Sequence, residues 1–332
     1  MTASQLILLP FSWAYGGVIA ARNSYYDRNP GAAHHAGVPV ISVGNLTAGG
    51  TGKTPLVIEI VKLLLTDGRR PAILTRGYAA KRGETPDEVL EFHDSLPTVP
   101  VVVNPDRVGG AAQARIEHLA DCLVLDDGFQ HRRLARETDI VVIDALQPWG
   151  GDFLLPAGRL REPVAGLRRA HAVVISRSNQ VSPEELSGLH RKVEMYVRNA
   201  PILDSIIEAT GCGDGKNQVV SPGQLKSTRI LPVCGIGNPA TYINLLRSMA
   251  GDLAPEIEFP DHHSYRAADV AAILRHAAQQ RADIVLTTRK DWGKLATLWP
   301  NDASAPLLRL NIQSRVLDVP ALRKILKLKP AG

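Results

Sequence analysis

Residues 38–43 form an apolar run interrupted only by Ser42, and from Leu56 onward apolar side chains return at helical spacing, at Leu56, Val57, Ile60, Val61, Leu64 and Leu65. The short run predicts a strand buried on both faces, and the 3.6-residue period predicts a helix packed by one side. The alternation continues. Residues 71–76, 99–103, 122–125, 140–143 and 172–175 read as further strands, with a helical pattern over 111–119. Strands separated by helices predict a mostly parallel sheet covered on both faces, with ligands bound beyond the carboxyl ends of its strands. The character changes at 208–226, where Thr210-Gly-Cys-Gly-Asp-Gly-Lys-Asn-Gln218 makes a glycine-rich turn between the β-branched runs 202–207 and 219–220. This predicts a hairpin-like linker. A second alternating segment follows, with strands over 231–234 and 284–287 and helices over 240–249, 267–280 and 319–328. The expected organisation is a first domain over 1–200, a two-stranded linker over 201–228 and a smaller α/β domain over 229–332.

The start of the chain has its own pattern. No charged side chain precedes Arg22, and residues 6–20 are strongly apolar, although Pro10, Gly16 and Gly17 interrupt them. The stretch is short for a spanning helix, which needs about 20 apolar residues. No basic residue precedes its apolar core, as one would in a signal peptide. Two readings stand on the residues alone. One is a first helix packed on the domain. The other is a helix lying in a membrane interface, with Trp13, Tyr15, Tyr25 and Tyr26 at headgroup level and Arg22 and Arg28 at its edge.

Composition narrows the class. The 332 residues are 45% hydrophobic and 21% charged, which describes an ordinary folded chain with room for two α/β domains. The three cysteines, Cys122, Cys212 and Cys234, lack metal-type spacing; they fit a reducing compartment and argue against structural zinc or a disulfide framework. A net charge of +5, spread along the chain, fits a phosphorylated substrate or a membrane surface better than nucleic acid. An aromatic share of 5% weakens base stacking as well.

Chemistry concentrates in Gly44-Asn-Leu-Thr-Ala-Gly-Gly-Thr-Gly-Lys53-Thr54-Pro55, between the first predicted strand and helix. Glycines at a strand-to-helix turn let backbone N–H groups and a helix N-terminus converge on one anion. Lys53 then reaches the outer phosphates of a nucleotide, Thr54 can ligate magnesium, and Pro55 suits a first helical turn. The strict P-loop pattern has glycine where this chain has Thr47, so the loop is atypical, and its expected cradle is Thr47, Ala48, Gly49, Gly50, Thr51, Gly52, Lys53 and Thr54. The run Cys122-Leu-Val-Leu-Asp126-Asp127-Gly128-Phe129-Gln130-His131 ends a strand in two carboxylates, the form of a Walker B element. Opposite Thr54, Asp126 and Asp127 are the expected magnesium ligands. The fold expected is therefore a P-loop NTPase-like sheet sandwiched by helices, joined through the linker to the smaller domain.

A phosphoryl transferase also needs a group that accepts the proton of the attacking hydroxyl. Two polar clusters compete: Gly83-Glu84-Thr85-Pro86-Asp87-Glu88 after Thr75-Arg76-Gly77-Tyr78, and Asp261-His262-His263-Ser264-Tyr265. A carboxylate from the first with an imidazole from the second would make a base assembled on closure; an acidic loop and a capping turn are the plainer alternatives. Arginines gather at Arg132-Arg133, at Arg159 and Arg161, and at Arg168-Arg169, where bidentate recognition of phosphate or a solvated face are both open. Thr287-Thr288-Arg289-Lys290-Asp291 follows a strand and could contact a ligand or cap a helix.

In this order, these elements resemble the tetraacyldisaccharide 4′-kinase family, the lipid A 4′-kinases, over nearly the whole chain. The resemblance rests on residues 42–55, Thr75-Arg-Gly-Tyr78, Asp126-Asp-Gly-Phe-Gln-His131, Leu155-Pro-Ala-Gly158 with Leu160-Arg-Glu-Pro163, Gly235-Ile-Gly-Asn-Pro239, Phe259-Pro-Asp-His262 and residues 287–291. It implies an ATP- and Mg²⁺-dependent kinase acting on the 4′-hydroxyl of an acylated glucosamine disaccharide 1-phosphate. That reaction would run peripherally on the cytoplasmic face of the inner membrane, without nucleic acid or an obligate protein partner. Thr47 becomes a family trait. Lys53 and Thr54 match the phosphate and magnesium positions, and Asp126, Asp127 and Gln130 the second acidic element. The resemblance also implies a catalytic carboxylate in a Gly-Asp-Glu-Pro loop working with the histidine of Asp-His. The match is imperfect here, and Asp87 is the expected base, with Glu84 as fallback and His262 preferred to His263. Arg76 and Arg161 complete the expected site. It tips the first helix toward the interface. The alternatives are a P-loop switch or metallochaperone-type ATPase with no sugar-lipid substrate, and an Asp-His-His phosphoesterase.

Overall fold

The computed structural model describes residues 3–77, 86–214, 219–261 and 263–329. It resolves into two compact units, one of Met1–Ile207 with Ser314–Gly332 and one of Glu208–Gln313. The last residues thus pack with the first unit, whereas the sequence reading carried the smaller domain to 332.

In chain order the first unit holds α1 (Ala3–Arg28), β1 (Val40–Asn45), α2 (Lys53–Thr66), β2 (Pro71–Thr75), α3 (Asp87–Ser95), β3 (Val101–Val103), α4 (Arg107–Glu117) and β4 (Cys122–Asp126). It continues through β5 (Thr138–Asp144), β6 (Ala172–Ser176), α5 (Pro183–Glu194) and the start of β7 (Ile202–Gly213). Strand pairing runs β3-β2-β4-β1-β5-β6-β7, parallel throughout. The predicted mostly parallel sheet is therefore present, with β1 at its centre.

Period-two alternation divides each strand between two faces. Ile41, Val43, Ile73, Val124, Ile140 and Val142 join one core with Leu56, Val57, Ile60, Val61 and Leu64 of α2 and Phe92 of α3. Their neighbours turn the other way, Leu74, Leu123 and Leu125 toward Ala111 and Ala114 of α4, and Val141, Val173 and Ile175 toward Leu189 and Val193 of α5. Leu65, counted with the apolar face of α2, is exposed. Helix α5 had no place in the sequence reading. Its start is marked by a capping box in which Ser182 accepts from the Glu185 N–H at 3.2 Å and the Glu185 carboxylate accepts from the Ser182 N–H at 2.9 Å.

The second unit follows with the end of β7, β8 (Val219–Val220), α6 (Pro222–Leu225), β9 (Arg229–Cys234), α7 (Pro239–Met249), β10 (Asp252–Leu253), β11 (Ile257–Glu258), α8 (Ala267–Gln280), β12 (Ile284–Thr287), α9 (Arg289–Leu295) and most of β13 (Leu307–Val316). β7 and β8 pair antiparallel, as a hairpin would. Strands β10, β9, β12 and β13 pair in parallel, and Leu231, Val233 and Val285 pack on Val270, Ile273 and Ala277 of α8. The long strand β13 was missed because its pattern is interrupted by Asn311, Gln313, Ser314 and Arg315. Helix α10 (Val319–Ile325) then returns to the first unit, where Leu322 and Leu326 enter the core of α2.

Candidate active site

The central strand β1 ends at Asn45, a buried residue whose side chain shapes the loop after it. Its Nδ2 donates to the Thr47 carbonyl at 2.6 Å and to Thr51 Oγ1 at 2.9 Å. Gly52, at φ +82°, holds the left-handed conformation that caps α2, and Lys53 and Thr54 are the first two residues of that helix. The turn after β4 crosses directly over β1: a Cβ on Gly44 would lie 2.5 Å from the backbone N of Phe129. Register Val43↔Asp126 brings both predicted phosphate elements to adjacent strand ends.

The two carboxylates differ. Asp126 is 4% exposed and its Oδ1 is buried without a hydrogen-bond partner. Burial pushes it up to about 6, with repulsion from Asp127 and Glu88 added against the pull of Lys53 and Arg107. Asp127 stands at φ +55° and faces two cations, Lys53 Nζ at 3.4 Å from Oδ1 and Arg161 Nη1 at 2.6 Å from Oδ2. Burial acts to raise its carboxyl, but Lys53 and Arg161 outweigh that and hold it below the usual range. Asp126 Oδ1 is thus left without a hydrogen bond or an ion pair next to a carboxylate that Lys53 and Arg161 neutralise, and carboxylate oxygens of this kind are the hard donors that divalent cations take.

The loop is narrower as a cradle than its sequence. Thr47 is buried and forms a bridge with Leu160, the Ala48 N–H donates to the Arg159 carbonyl at 2.7 Å, and Arg161 N donates to the Leu46 carbonyl at 2.7 Å. Thr47 therefore occupies the glycine position as a strap-holding residue, and the Ala48 amide is already committed. Arg159 Nε and Arg177 Nη2 grip the Ala48 and Gly50 carbonyls at 2.9 and 3.2 Å, and Ser176 Oγ holds the Thr51 carbonyl at 2.7 Å. Gln130 is engaged through its amide nitrogen, while its Oε1 is buried without a partner. Its Nε2 donates to the Asn45 carbonyl at 2.9 Å and to Glu162 Oε1 at 2.8 Å, so it braces the loop from behind.

Other expected residues are placed with varying detail. Asp87 opens α3 after Pro86, and the charge of its neighbour Glu88 acts on Asp126, which puts this helical turn beside the acidic pair. Arg76 follows β2 and is exposed, and its charge reaches the buried Arg107. Glu84 and His262 lie outside the described residues. His263 is engaged in its own cluster, stacked on Phe259 at 4.7 Å and with Nε2 3.2 Å from Asp269. Among the described residues, which leave out His262, no cluster of three or more His, Cys, Asp or Glu forms a metal site.

Sequence reasoning gave no site role to Arg107 or Asn45, and named Glu88 only within the cluster that competes to supply a base. Arg107 is 3% exposed and donates to the Asn104 and Asp126 carbonyls at 2.9 and 3.4 Å. Asn104-Pro-Asp-Arg107 directly follows β3, and an arginine just after an apolar strand on the sheet that carries the glycine loop was the available signal.

A parallel sheet whose central strand feeds a glycine loop and lysine, with a buried and a half-buried aspartate at the end of the adjacent strand, defines a P-loop nucleotide phosphate enzyme. The chain belongs to the tetraacyldisaccharide-1-P 4′-kinase family, whose model matches residues 4–330. It is 38% identical over 340 residues to the tetraacyldisaccharide 4′-kinase of Syntrophus aciditrophicus, covering 94% of this chain and 89% of that one. With the enzyme of the same description from Syntrophotalea carbinolica it shares 35% over 342 residues, covering 97% and 91%. The solved structure of LpxK from Aquifex aeolicus in complex with ATP matches with a TM-score of 0.74 at 28% identity, over 97% of this chain and 98% of that one.

Proposed function

We propose that this chain transfers the γ-phosphoryl group of ATP to the 4′-hydroxyl of a tetraacylated glucosamine disaccharide 1-phosphate, the lipid A precursor. Family membership and the likeness to an ATP-bound relative support the reaction and the donor. Within the molecule one observation carries it: the lysine of the glycine loop lies against an acid pair of which Asp126 keeps an open oxygen.

ATP phosphates sit against the free amides of Gly49 to Thr54 and the positive end of α2. Lys53 leaves Asp127 for the outer phosphates, and Asp127 stays neutralised by Arg161. Asp126 and Thr54 would hold a magnesium ion, which would supply neutralisation of phosphate charge. The 4′-oxygen attacks phosphorus in line, the bond to the β-phosphate oxygen breaks, and ADP departs. Asp87 takes the hydroxyl proton and passes it to solvent. His262 is retained as its partner on the resemblance of Phe259-Pro-Asp-His262. His263 is held by Asp269 and Phe259.

The substrate's acyl chains call for a membrane surface, and α1 suits one. Among the described residues no helix is long and apolar enough to cross a membrane. Helix α1 seats through Ser12, Tyr15 and Asn23, whereas Ile7 and Trp13 are 71% and 73% exposed, with Leu6, Phe11 and Val18 also in solvent. An apolar face turned outward fits peripheral binding to the inner membrane's cytoplasmic face. A Phe11→Ser/Trp13→Ser variant should lose co-sedimentation with phospholipid vesicles while keeping ATP affinity; unchanged sedimentation would refute this placement.

The reaction is tested by product. The protein with ATP and Mg²⁺ should add the mass of one phosphate to the acylated disaccharide, and Lys53→Ala should lower turnover by about 10²–10³-fold, the scale of one lost charge-stabilising donor. Consumption of ATP with an unmodified disaccharide would favour the switch ATPase instead.

A further inference from the structure

Glu162 is 0% exposed, and its carboxylate receives three donors from three different parts of the first unit. Oε1 accepts from Gln130 Nε2 at 2.8 Å, and Oε2 accepts from Arg169 Nη2 at 2.8 Å and from Asn23 Nδ2 of α1 at 3.3 Å. The chain of contacts leads onward. Gln130 Nε2 also donates to the Asn45 carbonyl, and Asn45 Nδ2 donates to the Thr47 carbonyl and to Thr51 Oγ1, inside the nucleotide loop. The adjacent residue makes a parallel connection: the Arg161 carbonyl accepts from Tyr15 of α1 at 2.8 Å, its N–H holds Leu46, and its guanidinium holds Asp127.

We propose that Glu162 is a positioning residue for the ATP site, which registers the seating of α1 and transmits it through Gln130 and Asn45 to the glycine loop. The inference rests on the kinase reading above. Physically, a buried carboxylate compensated by Arg169 is the group that can accept from three donors at once; the amide oxygens of Asn23, Gln130 and Asn45 are buried without partners, so these side chains are held through their donated bonds, and losing one leaves little else to fix them. Withdrawal of Asn23 leaves Glu162 under-coordinated and frees the Gln130 amide to tilt, which loosens the Asn45 contacts that hold the loop in its anion-binding shape. Helix α1 then serves as a sensor as well as an attachment, because its polar side reports its position to the phosphate-binding amides.

The test reads ATP affinity separately from lipid kinetics. Glu162→Gln removes an acceptor and turns an amide toward donors, and it should weaken ATP binding, measured by titration without lipid, about tenfold, the loss of one charge-assisted hydrogen bond. KM for the disaccharide should stay within about twofold. Asn23→Ala, at a half-buried position of α1, should weaken ATP binding about threefold, and the double variant should be no weaker than Glu162→Gln alone because both act on one path. Unchanged ATP affinity in Asn23→Ala, or additive losses in the double variant, would overturn the proposal. Should Glu162→Gln fail to fold, Asn23→Ala alone decides by the same criterion. Lys53→Ala run alongside separates the outcomes: if it loses phosphoryl transfer while Asn23→Ala binds ATP normally, the kinase reading stands and this inference falls.

Discussion

Two buried aspartates stand at or beyond the carboxyl ends of parallel strands, and they differ in what surrounds them. Asp126, at the end of β4 in the first unit, has an unpartnered buried oxygen and is pushed up to about 6 by burial. Asp291, fully buried in the first turn of α9 in the second unit, also has one buried oxygen, Oδ1, without a hydrogen-bond partner, but its Oδ2 accepts from the Gly235 N–H at 2.8 Å and the Thr288 hydroxyl at 2.7 Å. The Tyr265 hydroxyl faces it, and burial together with the Asp291 charge raises that tyrosine above its usual range. Thr288 in turn caps α9 by accepting the Asp291 N–H. Both keep one oxygen unpartnered, but Asp126 lies under the charge of the loop's Lys53, whereas Asp291 uses its second oxygen to tie two loops and a helix end together. The contrast separates a group held for chemistry from a group held for architecture, although both would pass as buried charge at a strand end.

The comparison can be broken, starting with the largest effect. Asp126→Asn should reduce phosphoryl transfer by about 10²-fold while the melting temperature holds or rises, since a desolvated charge is removed. A melting temperature that fell as far as activity would erase the distinction. Asp291→Asn should do the reverse, lowering stability by about 1–3 kcal/mol through a weakened buried acceptor, with ATP affinity little changed in protein that remains folded. Denaturant titration of the two variants side by side reads both signs.

A smaller effect sharpens the first unit's side of the contrast. His131 follows the acid pair, and its pKa is lowered from 6.5 to about 4 by burial and by Arg107, Arg136 and Arg133. The folded state holds the neutral ring, so its contribution to stability is complete above about 6.5 and is lost as the pH falls toward 4. His131→Gln should flatten the stability curve across that window, measured by thermal melts from pH 7 to 4. An unchanged slope would show that the ring is not held neutral.

Much of this was legible along the chain. The apolar runs marked β1, β2, β4, β5 and β6, and the spacing of Leu56 to Leu64 marked α2, because burial on a strand or helix face leaves a periodic trace. β13 left a weaker trace, since its edge of polar residues breaks the period. In the site, Lys53, Asp126 and Asp127 were readable from their place after strands. Gln130 was read as part of the ligand-binding element, and its amide proves committed to Asn45 and Glu162.

The sequence by itself determined the local events: a glycine loop that must turn a strand into a helix, a carboxylate pair that must follow a buried strand, and an apolar first helix. Those follow from backbone conformations and burial patterns that span a few residues. The tertiary structure alone decided which oxygen of the acid pair stays open, why Thr47 replaces a glycine, and how Glu162 joins α1 to the loop. Each of these depends on partners brought together from distant segments, from Asn23 to Arg169, and no local period encodes which donor meets which acceptor once the sheet has set the register.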